Sequence, residues 1–178
     1  KDEKKEEKIM ITVSRLVKKN AVADTIRSLT HLPACVHPGI VGEGPELGNL
    51  QFETSNLKLN SRVHFLGFKN HDELPHYLWS ADVFVRPSLS EGMGNSFIEA
   101  FAAGLPVVAT PVGGIPDFLR HEETGLFCEV KNPKSIARQV ARLFADRVLR
   151  EKVIANARRL AEARYNWDTI THAFEEKI

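Results

Sequence analysis

The feature that most constrains this chain is the alternation of short, almost wholly apolar runs with segments of helical spacing. Ile9–Val13, Val36–Val41, Val63–Leu66, Val83–Val85 and Val107–Ala109 read as five strands, and Gly125–Cys128 as a short sixth. A strand with one solvated face alternates apolar and polar side chains. These runs do not, so both faces of each strand are buried. Ala21–Leu29 carries apolar residues at 22, 26 and 29, a helical spacing that ends near Pro33. Further helices are predicted from the Gly42-Glu43-Gly44-Pro45 turn through Leu59, over His71–Ser80, and from about Ser96 to Ala103, where Gly104 and Pro106 stop it. The fold class is therefore α/β, a doubly wound parallel sheet of about six strands. Its carboxyl-terminal third is helical, over Pro133–Asp146, Arg147–Ala163 and Trp167–Ile178. Pro38 and Gly39 sit inside the second strand, and since proline donates nothing to a ladder, that strand is expected to be short or bulged there.

In a sheet of this kind ligands sit beyond the carboxyl ends of the strands. The positions to watch are Arg15, Gly42–Pro45, Gly67-Phe68, Arg86–Glu91 and Thr110–Gly114, each at the handover from strand to loop. Residues 91–117 concentrate the chemistry. Two carboxylates, Glu91 and Glu99, stand there with seven residues between them, across a glycine-containing turn and a helix start. The free N–H groups and positive dipole end of a helix start, here near Asn95-Ser96, are a ready anion site. A carboxylate one turn into that helix accepts hydrogen bonds from sugar or ribose hydroxyls. Phosphate donors beside hydroxyl acceptors point to a phosphorylated sugar, most simply a nucleotide-sugar.

Each of these residues also has an ordinary explanation. Ser96-Phe97-Ile98-Glu99 spells a capping box, in which Ser96 and Glu99 close the helix start reciprocally for about 1 kcal/mol. Glu91 caps nothing obvious, and its alternative is a solvated loop carboxylate. Gly92 and Gly94 either supply turn conformations or let the backbone approach a diphosphate. Arg15 can hold a phosphate bidentately, whereas Lys18 and Lys19 read as a solvated basic loop. Arg86 can pair Glu91 or touch the ligand's phosphates, and spacing does not choose between them.

Composition excludes several classes. With 178 residues the chain suits one domain burying about 70% of its unfolded surface. A net charge of +1 gives no basic excess, so no nucleic-acid partner is expected. Cys35 and Cys128 form neither a disulfide framework nor a metal spacing, which fits a cytoplasmic location. The seven histidines show no metal spacing, and His71 and His76 read as surface residues of a polar helix. No run of about 18 apolar residues is present to cross a membrane. There is no Gly-x-x-x-x-Gly-Lys-Ser/Thr loop, no Gly-x-Gly-x-x-Gly after the first strand and no Gly-x-Ser-x-Gly elbow.

The chain resembles the carboxyl-terminal domain of the retaining, nucleotide-sugar-dependent glycosyltransferases of group 1 (family 4), which have the two-domain GT-B fold with Rossmann-like halves. The likeness runs from about Ile9 to the end and is most specific over Pro87–Gly92 through Glu99, Gly104–Thr110 and Gly113-Gly114. Ser14–Val17, Gly42-x-Gly44-Pro45-Glu46, Val63-x-Phe65-Leu66-Gly67 and Ala81–Val83 support it. The resemblance implies that Glu99 binds the ribose hydroxyls and that Glu91 reaches the donor sugar near the reacting centre. It implies that Arg15 and the backbone of Gly94–Ser96 hold the diphosphate, and that Gly67-Phe68 borders the base. It implies no metal and no other cofactor, a UDP-, GDP- or ADP-linked donor, and retention of anomeric configuration with the leaving phosphate helping to deprotonate the acceptor.

The family usually carries a lysine five residues after the arginine. Here that position is Asn20, with Lys19 one residue earlier as the substitute. Residues 1–8 are expected to be a charged linker or frayed end, and 9–178 a single nucleotide-sugar-binding domain. Within it, 164–178 would be a terminal helix crossing to an amino-terminal acceptor domain. The sequence thus reads as a piece of a longer enzyme that binds nucleotide but transfers little alone, with any membrane contact made through the other half. The alternatives are a stand-alone nucleotide- or sugar-phosphate-binding module and a sugar-nucleotide epimerase of related fold.

Overall fold

The computed structural model describes residues 6–92 and 94–165. Six parallel strands form one sheet in the order β3-β2-β1-β4-β5-β6. They are β1 (Lys8–Val13), β2 (Val36–Val41), β3 (His64–Gly67), β4 (Val83–Arg86), β5 (Val107–Ala109) and β6 (Leu126–Phe127). The helices are α1 (Val22–Ser28), α2 (Leu47–Asn56), α3 (Leu74–Trp79), α4 (Asn95–Ala102), α5 (Pro133–Ala145) and α6 (Arg147–Arg164).

The apolar runs divide between two cores, as burial on both faces requires. Met10, Ile40, Val83, Val85 and Val108 face the core shared with α1, α2 and α5, together with Ile26, Ile136, Val140 and Leu143. Ile11, Val41, Phe84, Val107 and Ala109 face the other core, with Leu78, Phe97, Phe101 and Ala157 of α3, α4 and α6. The last two helices have ordinary starts. Asn132 accepts from the Ser135 N–H at 3.1 Å with Pro133 in the first turn of α5, and Asp146 accepts from the Leu149 N–H at 2.9 Å at the start of α6.

Two expectations are revised. β1 begins at Lys8, inside the stretch read as linker, because the Lys8 N–H donates to the Cys35 carbonyl at 2.8 Å and Lys8 pairs in register with Val36. β2 is not shortened by Pro38, since it pairs with β1 over all six residues, Pro38 opposite Met10. Backbone groups alternate in direction along the strand. The Val41 carbonyl accepts from Ser14 of the β1 side, and the Gly42 N–H donates to Gly67 of β3. Pro38 therefore turns its nitrogen toward β3, whose pairing begins only at Gly39, and the missing donor costs no bond to β1. The ladder does shift, between Ile40 and Val41 against β3. The helix expected over Trp167–Ile178, and with it the crossing segment, lies outside the described residues.

The order reverses between β1 and β4, and their carboxyl ends part there to leave a crevice. Backbone bonds stitch its rim together. The Leu16 N–H donates to the Glu43 carbonyl at 2.8 Å, the Leu89 N–H to the Lys19 carbonyl at 2.7 Å, and the Gly114 N–H to the Glu91 carbonyl at 3.2 Å.

Candidate functional site

β4 ends in a cation. Arg86 is buried at the foot of the crevice, with Nη2 2.5 Å from Glu91 Oε2 and Nη1 donating to Ser96 Oγ at 2.6 Å. Its guanidinium lies over the Phe97 ring, 5.4 Å from the centroid. Burial pushes the Arg86 pKa down and the Glu91 charge opposes that shift; from so high a starting value an arginine remains a cation. The Glu91 side chain is only 8% exposed. Its Oε2 also accepts from the Ser88 hydroxyl at 3.4 Å, and its Oε1 from the Gly92 N–H at 3.2 Å. Glu91 is thus no solvated loop carboxylate. Gly113, at φ +56°, passes so close that a Cβ there would overlap the Glu91 carbonyl oxygen.

The start of α4 departs from the capping-box reading. Gly94 precedes the helix at φ +64° without any side-chain cap, and a Cβ on it would lie 2.9 Å from Phe97. The glycine turn starts the helix at Asn95, which places Ser96 inside it and gives its hydroxyl to Arg86. Glu99 therefore has no capping duty toward Ser96. It stands about one-third exposed, 32%, with Oε1 3.6 Å from His71 Nδ1. Gly92, by contrast, has open space around it and needs no glycine on steric grounds.

The loop after β1 completes the rim. Arg15 is exposed, and Asn20 is buried with its Nδ2 donating to the Arg15 carbonyl at 2.6 Å. The asparagine thus braces the loop that carries Arg15. Among the described residues, Ser14 Oγ, Asn20 Oδ1 and Arg86 Nε are buried without a hydrogen-bond partner, all near the carboxyl ends of β1 and β4. Arg15, Gly42, Phe68, Lys69, Arg86 and Ser96 line one open cleft of about 480 Å³. Phe68 is 67% exposed there.

The structure therefore gathers Arg15, Phe68, Arg86 and Ser96 on one cleft, with Gly67, Gly94 and Asn95 adjoining them in the chain and Glu91 tied in through Arg86. It does not bring Lys19 to that lining, and Lys19 is exposed. Glu99 borders a neighbouring groove of about 240 Å³ between α3 and α4, with His71 and Trp79. One residue escaped the sequence reading, Lys69, which directly follows Gly67-Phe68, so the strand-end rule that singled out that pair finds it if extended along the loop. His71, read as a surface residue, is exposed beside Glu99.

Comparison with known proteins bears on the family and the fold. The family described as glycosyl transferases group 1 matches residues 1–160. An uncharacterised glycosyltransferase of Methanocaldococcus jannaschii is 36% identical over 167 residues, covering 93% of this chain and 43% of that protein. The structure of Anabaena HepE in complex with UDP and glucose superposes with a TM-score of 0.90 at 25% identity, over 96% of this chain and 48% of that one. The carboxyl-terminal domain of a group 1 glycosyl transferase, LpcC of Francisella tularensis, shares the fold with a TM-score of 0.81 at 24% identity, over 91% of this chain and 88% of that one. The chain spans less than half the length of the relatives it matches, such as the Methanocaldococcus protein. By family match, sequence identity and fold, this chain belongs to the group 1 glycosyltransferases, as a domain like the carboxyl-terminal half of their GT-B architecture.

Proposed function

We propose that this chain is the donor-binding half of a retaining glycosyltransferase that moves a sugar from a nucleotide diphosphate to an acceptor held by a second domain. One observation carries the reading: Arg15 and the start of α4, through Ser96, meet on the same open cleft at the carboxyl ends of the strands, with Glu91 tied to it through Arg86 and Glu99 on the neighbouring groove. Arg15 and the N–H groups of Gly94–Ser96 neutralise the diphosphate as it departs, which stabilises the charge that develops in the transition state. Glu99, free of the helix cap, accepts from the ribose hydroxyls. Glu91, held against Arg86, faces the donor sugar, while Gly67 and Phe68 border the base. Retention follows when the leaving phosphate takes the acceptor's proton on the same face of the sugar. Anabaena HepE, described in complex with UDP and with UDP-glucose, supports a nucleotide-sugar as the ligand.

With cationic side chains and helix N–H groups at the diphosphate, binding needs no divalent ion, and the site lies in the cytoplasm. The isolated chain binds nucleotide and transfers little sugar. Calorimetric titration of UDP, GDP and ADP, with and without EDTA, tests the reading. Chelator-insensitive binding of one nucleotide is expected; absence of binding by all three defeats it. Binding by a parent protein that lacks an acceptor domain would instead favour a stand-alone nucleotide-binding module.

A further inference from the structure

We propose that Lys69, on the loop after β3, is a second phosphate-binding cation of the donor site and works with Arg15. This rests on the donor-site reading above. A nucleotide diphosphate carries about two negative charges where it meets the protein, and one exposed arginine offsets about one of them. The cleft holds three cations: Arg15, Lys69 and Arg86. Arg86 is already committed, with Glu91 on one nitrogen and Ser96 on another. Lys19 does not line the cleft, and Asn20 is buried and spends its amide on the Arg15 carbonyl.

Lys69 remains. Its ammonium lies over the Tyr77 ring, 5.1 Å from the centroid. That cation–π contact orders a flexible side chain beside the cleft, and Tyr77 itself lines a separate hollow with Leu66 and Ser80. Among the described residues neither Lys69 nor Arg15 makes an ion pair. Glu43, the carboxylate that lines the same cleft, pairs with neither of them. The loops after β1 and β3 thus each present one uncompensated cation, a fit for an anion bound between them.

The test is titration of UDP, GDP and ADP into the wild-type chain, Lys69→Ala and Lys69→Arg, each at low and high salt. For whichever nucleotide the wild type binds, Lys69→Ala is expected to loosen it about tenfold at low salt, the scale of one charged hydrogen bond. The variant should also be less salt-sensitive than wild type, and Lys69→Arg should restore most of both properties. Equal loosening at both salt concentrations would mean that Lys69 acts through packing, and unchanged affinity that it does not act at all. Either result, obtained with unaltered thermal unfolding, overturns the proposal while leaving the donor site standing. A wild type that binds none of the three diphosphates defeats the donor site itself, and Lys69 with it.

Discussion

The two sides of the cleft are built differently. On the β4 side Arg86, Glu91 and Ser96 form a buried knot in which every charge already has a protein partner. On the β3 side Phe68 is exposed and Lys69 rests on Tyr77, and in the neighbouring groove Glu99 is one-third exposed beside His71. The knot is held by its own pairs, because an unpaired charge there would be far costlier than a paired one. The open side leaves its donors and acceptors for an incoming molecule, since solvated groups lose little by waiting. In the proposed donor site, placing charge against the reacting sugar would call for the first arrangement, and capture of base, ribose and phosphate for the second.

The sharpest way to break this contrast is Arg86→Met. It strands the buried Glu91 carboxylate and is expected to cost about 3–5 kcal/mol in urea unfolding. Adding Glu91→Gln should recover part of that, because no unpaired charge is then left. A loss near zero in the single variant would show that the knot is not the rigid half. Next comes Gly113→Ala. Its positive φ and the contact with the Glu91 carbonyl should cost about 1–3 kcal/mol by the same measurement. On the open side the effects move from stability to affinity. Glu99→Ala should weaken nucleotide binding roughly tenfold or more in calorimetry, with unfolding free energy within about 0.5 kcal/mol of wild type. A clear loss of stability instead would return Glu99 to a structural role. Smallest of all, Phe68→Ala should loosen the nucleotide several-fold, at the lower end of the roughly 1–3 kcal/mol range of aromatic–base stacking, and leave the melting temperature unchanged.

The knot was also the part hardest to read from residues alone. Arg86 and Glu91 were both picked out by their place at a strand end, yet spacing gave no preference between a structural pair and two ligand contacts. Choosing needed the distance from Arg86 to Glu91 and the burial of both side chains. Ser96-x-x-Glu99 misled for a related reason. The motif is local, but its role depends on where the helix begins, and a glycine at φ +64° started the helix at Asn95. Pro38 misled because a proline breaks a ladder only on the side its nitrogen faces, and the pairing of β3 begins beyond it. Lys69 went unnoticed because the strand-end reading stopped at Phe68, one residue short of it.

Taken alone, the sequence determined that this chain would be a parallel α/β sheet covered on both faces, and it singled out the strand ends and residues 91–99 as the candidate site. Those properties come from the periodicity of apolar side chains and from glycine and proline punctuation, which act over a few residues at a time. The tertiary structure decided which carboxylate is locked and which stays free, and which cations remain for a ligand. Those outcomes depend on burial and on distances between groups far apart in the chain, and a charge's partner and its solvation exist only once the strands have brought those groups together.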